Sequence, residues 1–409
     1  MRNKGRAGNL ICTFVDMTIP ISIQAFESIS AVGFNEELKA RLFDATPTAL
    51  TWQAHIAHRP FWFGKIDDER LVSIEEIKRT FPSLAGFTRP LGRSNLLIAQ
   101  CLIRMKASID AAIRRYGSHR IGVILGASVS GMTEMEKVFA DSEKLHEVTD
   151  EILEIANPSK FVSQAFNLTG SAYVISTACS SSAKALASAA RLLKTQTVDA
   201  VICGGIDSCS AFTLAGFDSL GALSHGRCQP FGEHRDGINL GEGGALFLLT
   251  REPGDFELAG WAETSDGYHI SSPDPEALAV KAAMQKALSM AKLSSVDYIN
   301  AHGTGTEHND AMESLAIAQT FESASPWVSS TKSLTGHTLG GAGALEAAIS
   351  LIAMKENRIP LHRLDSAIDP TLPAIRLALT PKHQTLTSVM SNSFAFGGNN
   401  AVLILKKTS

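Results

Sequence analysis

Two stretches of small residues constrain this chain more than any other feature. Residues 180–195 read SSSAKALASAARLLKT and residues 340–355 read GGAGALEAAISLIAMK. In the first, Ala183, Leu186, Ala187, Ala190 and Leu193 recur at helical spacing. Small side chains on every face let neighbours approach closely, so such a helix belongs where it is enclosed on all sides. One enclosed helix in each half of the chain points to two equivalent halves packed about a shared helical layer. Two unrelated amphipathic helices would give a similar composition, so the pattern needs support from the remaining sequence.

That remainder alternates strand and helix, which predicts an α/β fold. IGVILGAS (121–128) and VDAVICGGID (198–207) read as buried strands, and the last two strands are expected at 385–392 and 400–406. Helical patterns cover roughly 66–79, 94–115, 276–292 and 310–322. With 409 residues, 44% hydrophobic and 19% charged, the chain supports a large core in two or three domain-sized units. A net charge of −4 without a basic run gives no support for nucleic-acid or membrane-surface binding. Six cysteines, at 12, 101, 179, 203, 209 and 228, show neither a CxxC pair nor zinc spacing. Such usage fits a reducing, cytoplasmic setting and no metal site. Residues 1–16, in which Leu10 to Val15 is a short apolar run ended by Asp16, read as a flexible extension. The expected halves are 17–258 and 259–409.

Cys179 falls where an apolar, β-branched strand, Tyr173 to Thr177, runs into the first small-residue helix. Unpaired N–H groups and the helix dipole favour a thiolate at such a junction. The same N–H groups would hold the oxyanion of a tetrahedral acyl intermediate. A small buried apolar cysteine fits the position equally well. Two histidine motifs tip the balance. YINAHGTGTEHNDAMES places His302 after a short strand, Tyr298 to Ala301, and SSTKSLTGHTLGGAGALEAA places His337 five residues after Lys332. A sulfur nucleophile needs partners that manage protons and stabilise oxyanions, and imidazole does both near neutral pH.

Taken together, STACSSS, AHGTGT, TKSLTGH, the segment Pro230 to Leu249 and the terminal SNSFAFGGNNAVLIL resemble the β-ketoacyl-acyl-carrier-protein synthases of the thiolase superfamily. The likeness runs from about Ile29 to Leu405. A Cys-His-His set is similar to the elongating members; initiating and chalcone-synthase-like enzymes carry asparagine at the third position. The resemblance implies a five-layered αβαβα fold of two pseudo-symmetric halves and an acyltransferase that binds no cofactor. The phosphopantetheine arrives on an acyl carrier protein, whose malonyl and acyl thioesters are the substrates. It also implies a dimer, either with itself or with a related ketosynthase-like subunit.

Residue by residue, the resemblance makes Cys179 the nucleophile, His302 and His337 the donors to the malonyl thioester, and Lys332 a charge that tunes the second histidine. Backbone N–H groups of Cys179 and Phe396 match the oxyanion hole, and Phe396, with Phe394 beside it, matches an acyl gate. Thr304 and Thr306 match contacts to the pantetheine arm, Val129 a tunnel wall that limits chain length, and Glu313 a structural carboxylate organising Lys332. Glu307, Asn309 and Asp310 read as a polar helix cap, and Arg89 and Arg93 as a docking patch for the acidic carrier. Several departures point away from housekeeping fatty-acid synthesis towards polyketide or aryl-polyene clusters. Glu307 stands where proline is usual, Ala395 replaces glycine and Asn399 replaces threonine in the final motif, and the segment before Cys179 is short. Two other readings compete: a non-catalytic chain-length-factor-like subunit, disfavoured by Cys179, and a thiolase acting on coenzyme A thioesters, disfavoured because no cysteine follows Cys228.

Overall fold

The computed structural model describes residues 19–53, 59–86, 91–141, 143, 148–322 and 325–408. The expected extension 1–16 and Arg89 lie outside them.

Two sets of five strands repeat one plan, and the second opens on a strand, Phe256–Ser265, that straddles the expected boundary at 258/259. The first sheet contains β1 (Ser22–Ser30), β2 (Ile121–Gly126), β3 (Ala172–Ile175), β4 (Ala200–Asp207) and β5 (Gly243–Thr250). Its order is β3-β2-β4-β5-β1, with β2 parallel to β3 and β4, and β5 antiparallel to β4 and β1. The second contains β6 (Phe256–Ser265), β7 (Tyr298–Asn300), β8 (Trp327–Ser329), β9 (Ser388–Ala395) and β10 (Asn399–Lys407). Its order is β8-β7-β9-β10-β6 with the same parallel and antiparallel senses. The sheets touch where Ser22 of β1 pairs with Glu257 of β6.

Six helices make the other three layers: α1 (Arg93–Tyr116), α2 (Asn157–Ala165), α3 (Ser181–Lys194), α4 (Leu278–Met290), α5 (Glu307–Phe321) and α6 (Ala342–Glu356). The small-residue helices α3 and α6 lie between the sheets. Residues 342–354 of α6 are all buried, as an enclosed helix requires. The central core joins Ala183, Leu186, Leu345 and Ile349 to Phe247 and Leu403 of the two sheets. Outside, α1 and α2 cover one sheet and α4 and α5 the other. The arrangement is αβαβα.

Two sequence expectations shift. The helix over 66–79 divides into a turn, Asp68–Arg70, and a helix, Ile74–Thr80. Ser73 opens the latter by accepting the Glu76 N–H at 3.2 Å, which competes with continuation of a helix through it. The final strands reach Ala395 and Lys407, so Phe396–Gly398 is the hairpin turn between them.

Close approach fixes where α3 begins. A Cβ on Gly126, the last residue of β2, would lie 2.2 Å from the Ser182 nitrogen. Gly126→Ala is therefore expected to destabilise the protein by roughly 1–3 kcal/mol or more, because backbone must shift. Gly86→Ala, with nothing within 4 Å of the added atom, should change stability little. Thermal unfolding of the two variants checks the contrast.

Candidate active site

The chain turns sharply before α3. Ala178 adopts φ +51°, and Ser180 and Ser181 donate back to Thr177 and Ala178 at 3.3 and 3.1 Å. This elbow raises Cys179 at the mouth of the helix, with its own N–H and that of Phe396 facing the sulfur. Burial nevertheless pushes the thiol up to about 12, opposed by Lys332 and the two N–H groups. Burial thus outweighs the Lys332 charge and the two N–H groups and favours the thiol at rest, against the thiolate that the helix N-terminus alone would favour.

His302 follows β7 and His337 precedes α6; their rings meet edge to face with centroids 5.3 Å apart. Both imidazoles are held well below their ordinary value, first by burial and then by the Lys332 charge. Both are therefore neutral at pH 7, and their tautomers follow from their partners. His337 Nδ1 accepts the Leu339 N–H at 2.9 Å, so its proton sits on Nε2, which is buried and has no protein partner. His302 Nδ1 lies 3.5 Å from the Lys332 ammonium and accepts from it, so here too Nε2 carries the proton. The Cys179, His302 and His337 donor atoms lie within 4.8 Å of one another, a spacing a metal could use. The Nε2 positions left free of protein acceptors are N–H donors, however, and a metal needs lone pairs. The trio is built to donate hydrogen bonds.

Lys332 is 1% exposed and spends its three N–H bonds on Glu346, the His302 carbonyl and His302 Nδ1. Two sequence readings change here. Lys332 touches the first histidine rather than the second, reaching His337 only through its field. Its carboxylate partner is Glu346, not Glu313. Glu313 instead accepts the N–H groups of His302 and Gly303 at 2.9 and 2.7 Å and the Asn392 amide at 2.9 Å, fixing the backbone that carries His302. Burial pushes both carboxyls up to about 7. Asp310, in the first turn of α5, is fully buried; it accepts from Thr304, Gly305 and Phe231 and shapes the AHGTGT turn. Glu346 was legible: a lone acid in an otherwise apolar helix must be paired. On the neighbouring strands Asn300, Ser391 and Asn392 carry buried side-chain atoms without hydrogen-bond partners among the described residues.

A cavity of about 410 Å³ leads from the surface to Cys179, His302 and His337. Thr304 and Thr306 line it and share a 2.9 Å hydrogen bond between their hydroxyls. Glu307 and Asn309 line it too, as do Phe394 and Phe396. Phe394 packs edge-on to the His302 ring at 6.0 Å, and Phe396 stacks on Phe217 at 5.5 Å. Val129 does not reach this cavity. It packs behind Phe217 in an apolar cluster with Phe61, Phe63, Leu214 and Leu339. Arg93 is also reassigned. It is clamped by Glu242, Asp68 and the Ile66 carbonyl, with its side chain 14% exposed, so it cannot serve as a docking cation.

The tautomers are directly measurable. Imidazole resonances of the free protein should show both rings neutral and Nε2-protonated from about pH 8 down to about 6, since burial and Lys332 act in one direction. A ring that titrates near its ordinary value of about 6.5 would contradict the geometry.

Comparison with known proteins is consistent with this site. Residues 52–253 match the N-terminal domain and residues 256–363 the C-terminal domain of beta-ketoacyl synthase. The 3-oxoacyl-[acyl-carrier-protein] synthase 2 of Coxiella burnetii is 34% identical over 328 residues, covering 72% of this chain and 77% of that protein. Among solved structures, the complex of the ketosynthase ApeO with its chain length factor ApeC from Xenorhabdus doucetiae superposes at TM-score 0.87 and 36% identity, over 95% of this chain and 98% of that one. A beta-ketoacyl synthase from Burkholderia phymatum STM815 gives TM-score 0.79 at 28% identity, over 95% and 100%.

Proposed function

The chain belongs to the β-ketoacyl synthase family, and we propose that it is a catalytic, elongating β-ketoacyl-[acyl-carrier-protein] synthase of polyketide or aryl-polyene type. One observation carries this: a helix-end cysteine and two Nε2–H imidazoles converge on a single cavity floor.

In the first half-reaction, the Cys179 sulfur attacks an acyl thioester on the carrier's phosphopantetheine arm. The N–H groups of Cys179 and Phe396 hold the oxyanion, and the thiol proton ends on the released carrier thiol. In the second, malonyl on another carrier loses CO₂. The electron pair of the broken C–C bond becomes an enolate, whose oxygen accepts from His302 and His337. The enolate carbon then attacks the Cys179 thioester. Sulfur leaves as a thiolate, which the helix N-terminus and Lys332 stabilise, and takes up a proton. The product is a 3-ketoacyl chain two carbons longer on the carrier. Thr304 and Thr306 suit the amides of the pantetheine arm, and no cofactor of the enzyme's own enters.

The outer edge of β3, Ala172–Ile175, closes the first sheet and is unpaired among the described residues. It supports pairing with a second ketosynthase-like chain, either identical or chain-length-factor-like, as in the ApeO–ApeC complex. The five described cysteines are unbridged, which supports a cytoplasmic setting. Among the described residues no helix is long and apolar enough to cross a membrane. The non-catalytic reading fails to account for an intact cysteine between two oriented imidazoles.

Cys179→Ala should abolish acyl loading, read by intact mass after incubation with acyl carriers, while the fold persists. His302→Ala and His337→Ala should lower CO₂ release from malonyl carrier by roughly 10²- to 10³-fold with a much smaller effect on loading, since each removes an enolate donor. Equal loss of both steps would contradict this division.

Val129→Phe should restrict the acyl chain. Phe396 stacks on Phe217, which packs against the same apolar cluster as Val129, and the proposed path for the acyl chain runs past Phe396 into that cluster. Overfilling it by a ring costs roughly 1–3 kcal/mol, or about 5- to 150-fold against long chains, while short ones still load. Unchanged chain-length preference in a folded variant would place the tunnel elsewhere.

A further inference from the structure

The hairpin turn Phe396–Gly398 brings the Phe396 N–H to the nucleophile, so whatever holds that turn sets the oxyanion geometry. Its far side is tied to a neighbouring loop. Gly397 donates to the Ile270 carbonyl at 2.7 Å, Asp266 to the Gly398 carbonyl at 2.9 Å, and Asn400 to the Asp266 carboxylate at 2.6 Å. These bonds fix the turn against β6, not against Cys179.

The near side has a different tie. Lys184 lies on α3, five residues beyond Cys179. Its ammonium donates to the Asn399 side-chain oxygen at 2.8 Å, its one hydrogen bond among the described residues. The carboxylate within electrostatic reach, Glu263, is engaged by Arg191 at 2.5 Å. Lys184 thus spends a partly desolvated charge on a neutral amide, and burial pulls the amine below its ordinary value. A lysine held without a carboxylate partner, at the base of a turn that must stay aimed, calls for a reason. Asn399 is also a residue that departs from the usual final motif, so the acceptor belongs to this chain rather than to the general pattern.

We propose that Lys184 is a positioning residue for acyl transfer: through Asn399 it pins the base of the Phe396–Gly398 turn to the nucleophile helix and so keeps the Phe396 N–H aimed at the oxyanion formed on Cys179. The inference rests on the proposed roles of Cys179 and Phe396. Lys184 does not touch the substrate. It couples two elements, α3 and β10, that among the described residues otherwise meet only by packing.

The test separates the half-reactions. Lys184→Met and Asn399→Ala should each slow acyl loading roughly tenfold, since a donor displaced without being removed costs less than the ~10²–10³ of deleting one. Malonyl decarboxylation, which uses the histidine donors, should stay within about twofold. The double variant should be no slower than either single one, because both break the same tie. Lys184→Arg should restore loading, and melting temperature should not track loading across the set. Loading that is unaffected in folded Lys184→Met, or equal loss of both half-reactions, would overturn the proposal. If Lys184→Met fails to fold, Asn399→Ala and Asn399→Asp carry the test: the first should slow loading, and the second, which supplies a charged acceptor, should preserve it. Wild-type protein that never acylates on Cys179 would instead overturn the underlying functional reading.

Discussion

The site depends on one buried ion pair. Lys332 places its charge at 1% exposure behind His302, held by Glu346 and by two acceptors of His302. Breaking such a pair leaves an uncompensated charge in the interior, a far larger penalty than its net contribution to stability. What the pair supplies is orientation. The ammonium occupies His302 Nδ1 and adds to the burial that keeps both imidazoles neutral. It is also the nearest positive charge to a sulfur that turns anionic when the enolate attacks.

The scaffold delivers the remaining geometry through backbone. Leu339, with φ +55°, turns its N–H onto His337 and sets the second tautomer, immediately before α6 begins. Ala178 does the equivalent work before α3. Each small-residue helix therefore opens on a strained residue that aims a reacting side chain. The helices must cross closely for the two tips to meet: a Cβ on Gly343 would lie 2.8 Å from that of Ala183. The composition that made these segments conspicuous in the sequence is the composition that lets their ends share one cavity.

Sequence reasoning worked where chemistry and spacing coincide and failed where partnership depends on the fold. Cys179, His302, His337 and Lys332 converge as expected, and the enclosed helices lie in the centre. The carboxylate partner of Lys332 is Glu346, fourteen residues on in the same motif, rather than Glu313, which the resemblance supplied; which acid meets the ammonium depends on how the helix is placed, and spacing does not record that. Arg93 reads as a surface cation in a helix-opening segment, yet Glu242, 149 residues distant, buries it. Strand β1 was nearly invisible: Gln24 and Glu27 interrupt its apolar pattern, although both its ends are buried between neighbours. Long-range pairing leaves no local periodicity, so no window of sequence records it.

Burial acts on the three reacting groups with one physical cause and one result. Desolvation disfavours charge of either sign, so it raises the Cys179 thiol and lowers both imidazoles. The three groups on the floor of the cavity are consequently neutral at rest, with the Lys332 ammonium beside them. Negative charge then appears in sequence on an oxyanion at Cys179, on an enolate oxygen and finally on sulfur. Each arises in a water-poor space already lined with N–H groups that need not reorient. A site carrying a standing thiolate and a protonated histidine would attract loose anions and lose that distinction. The thiol value of about 12 means that sulfur holds its proton tightly and carries little negative charge at rest.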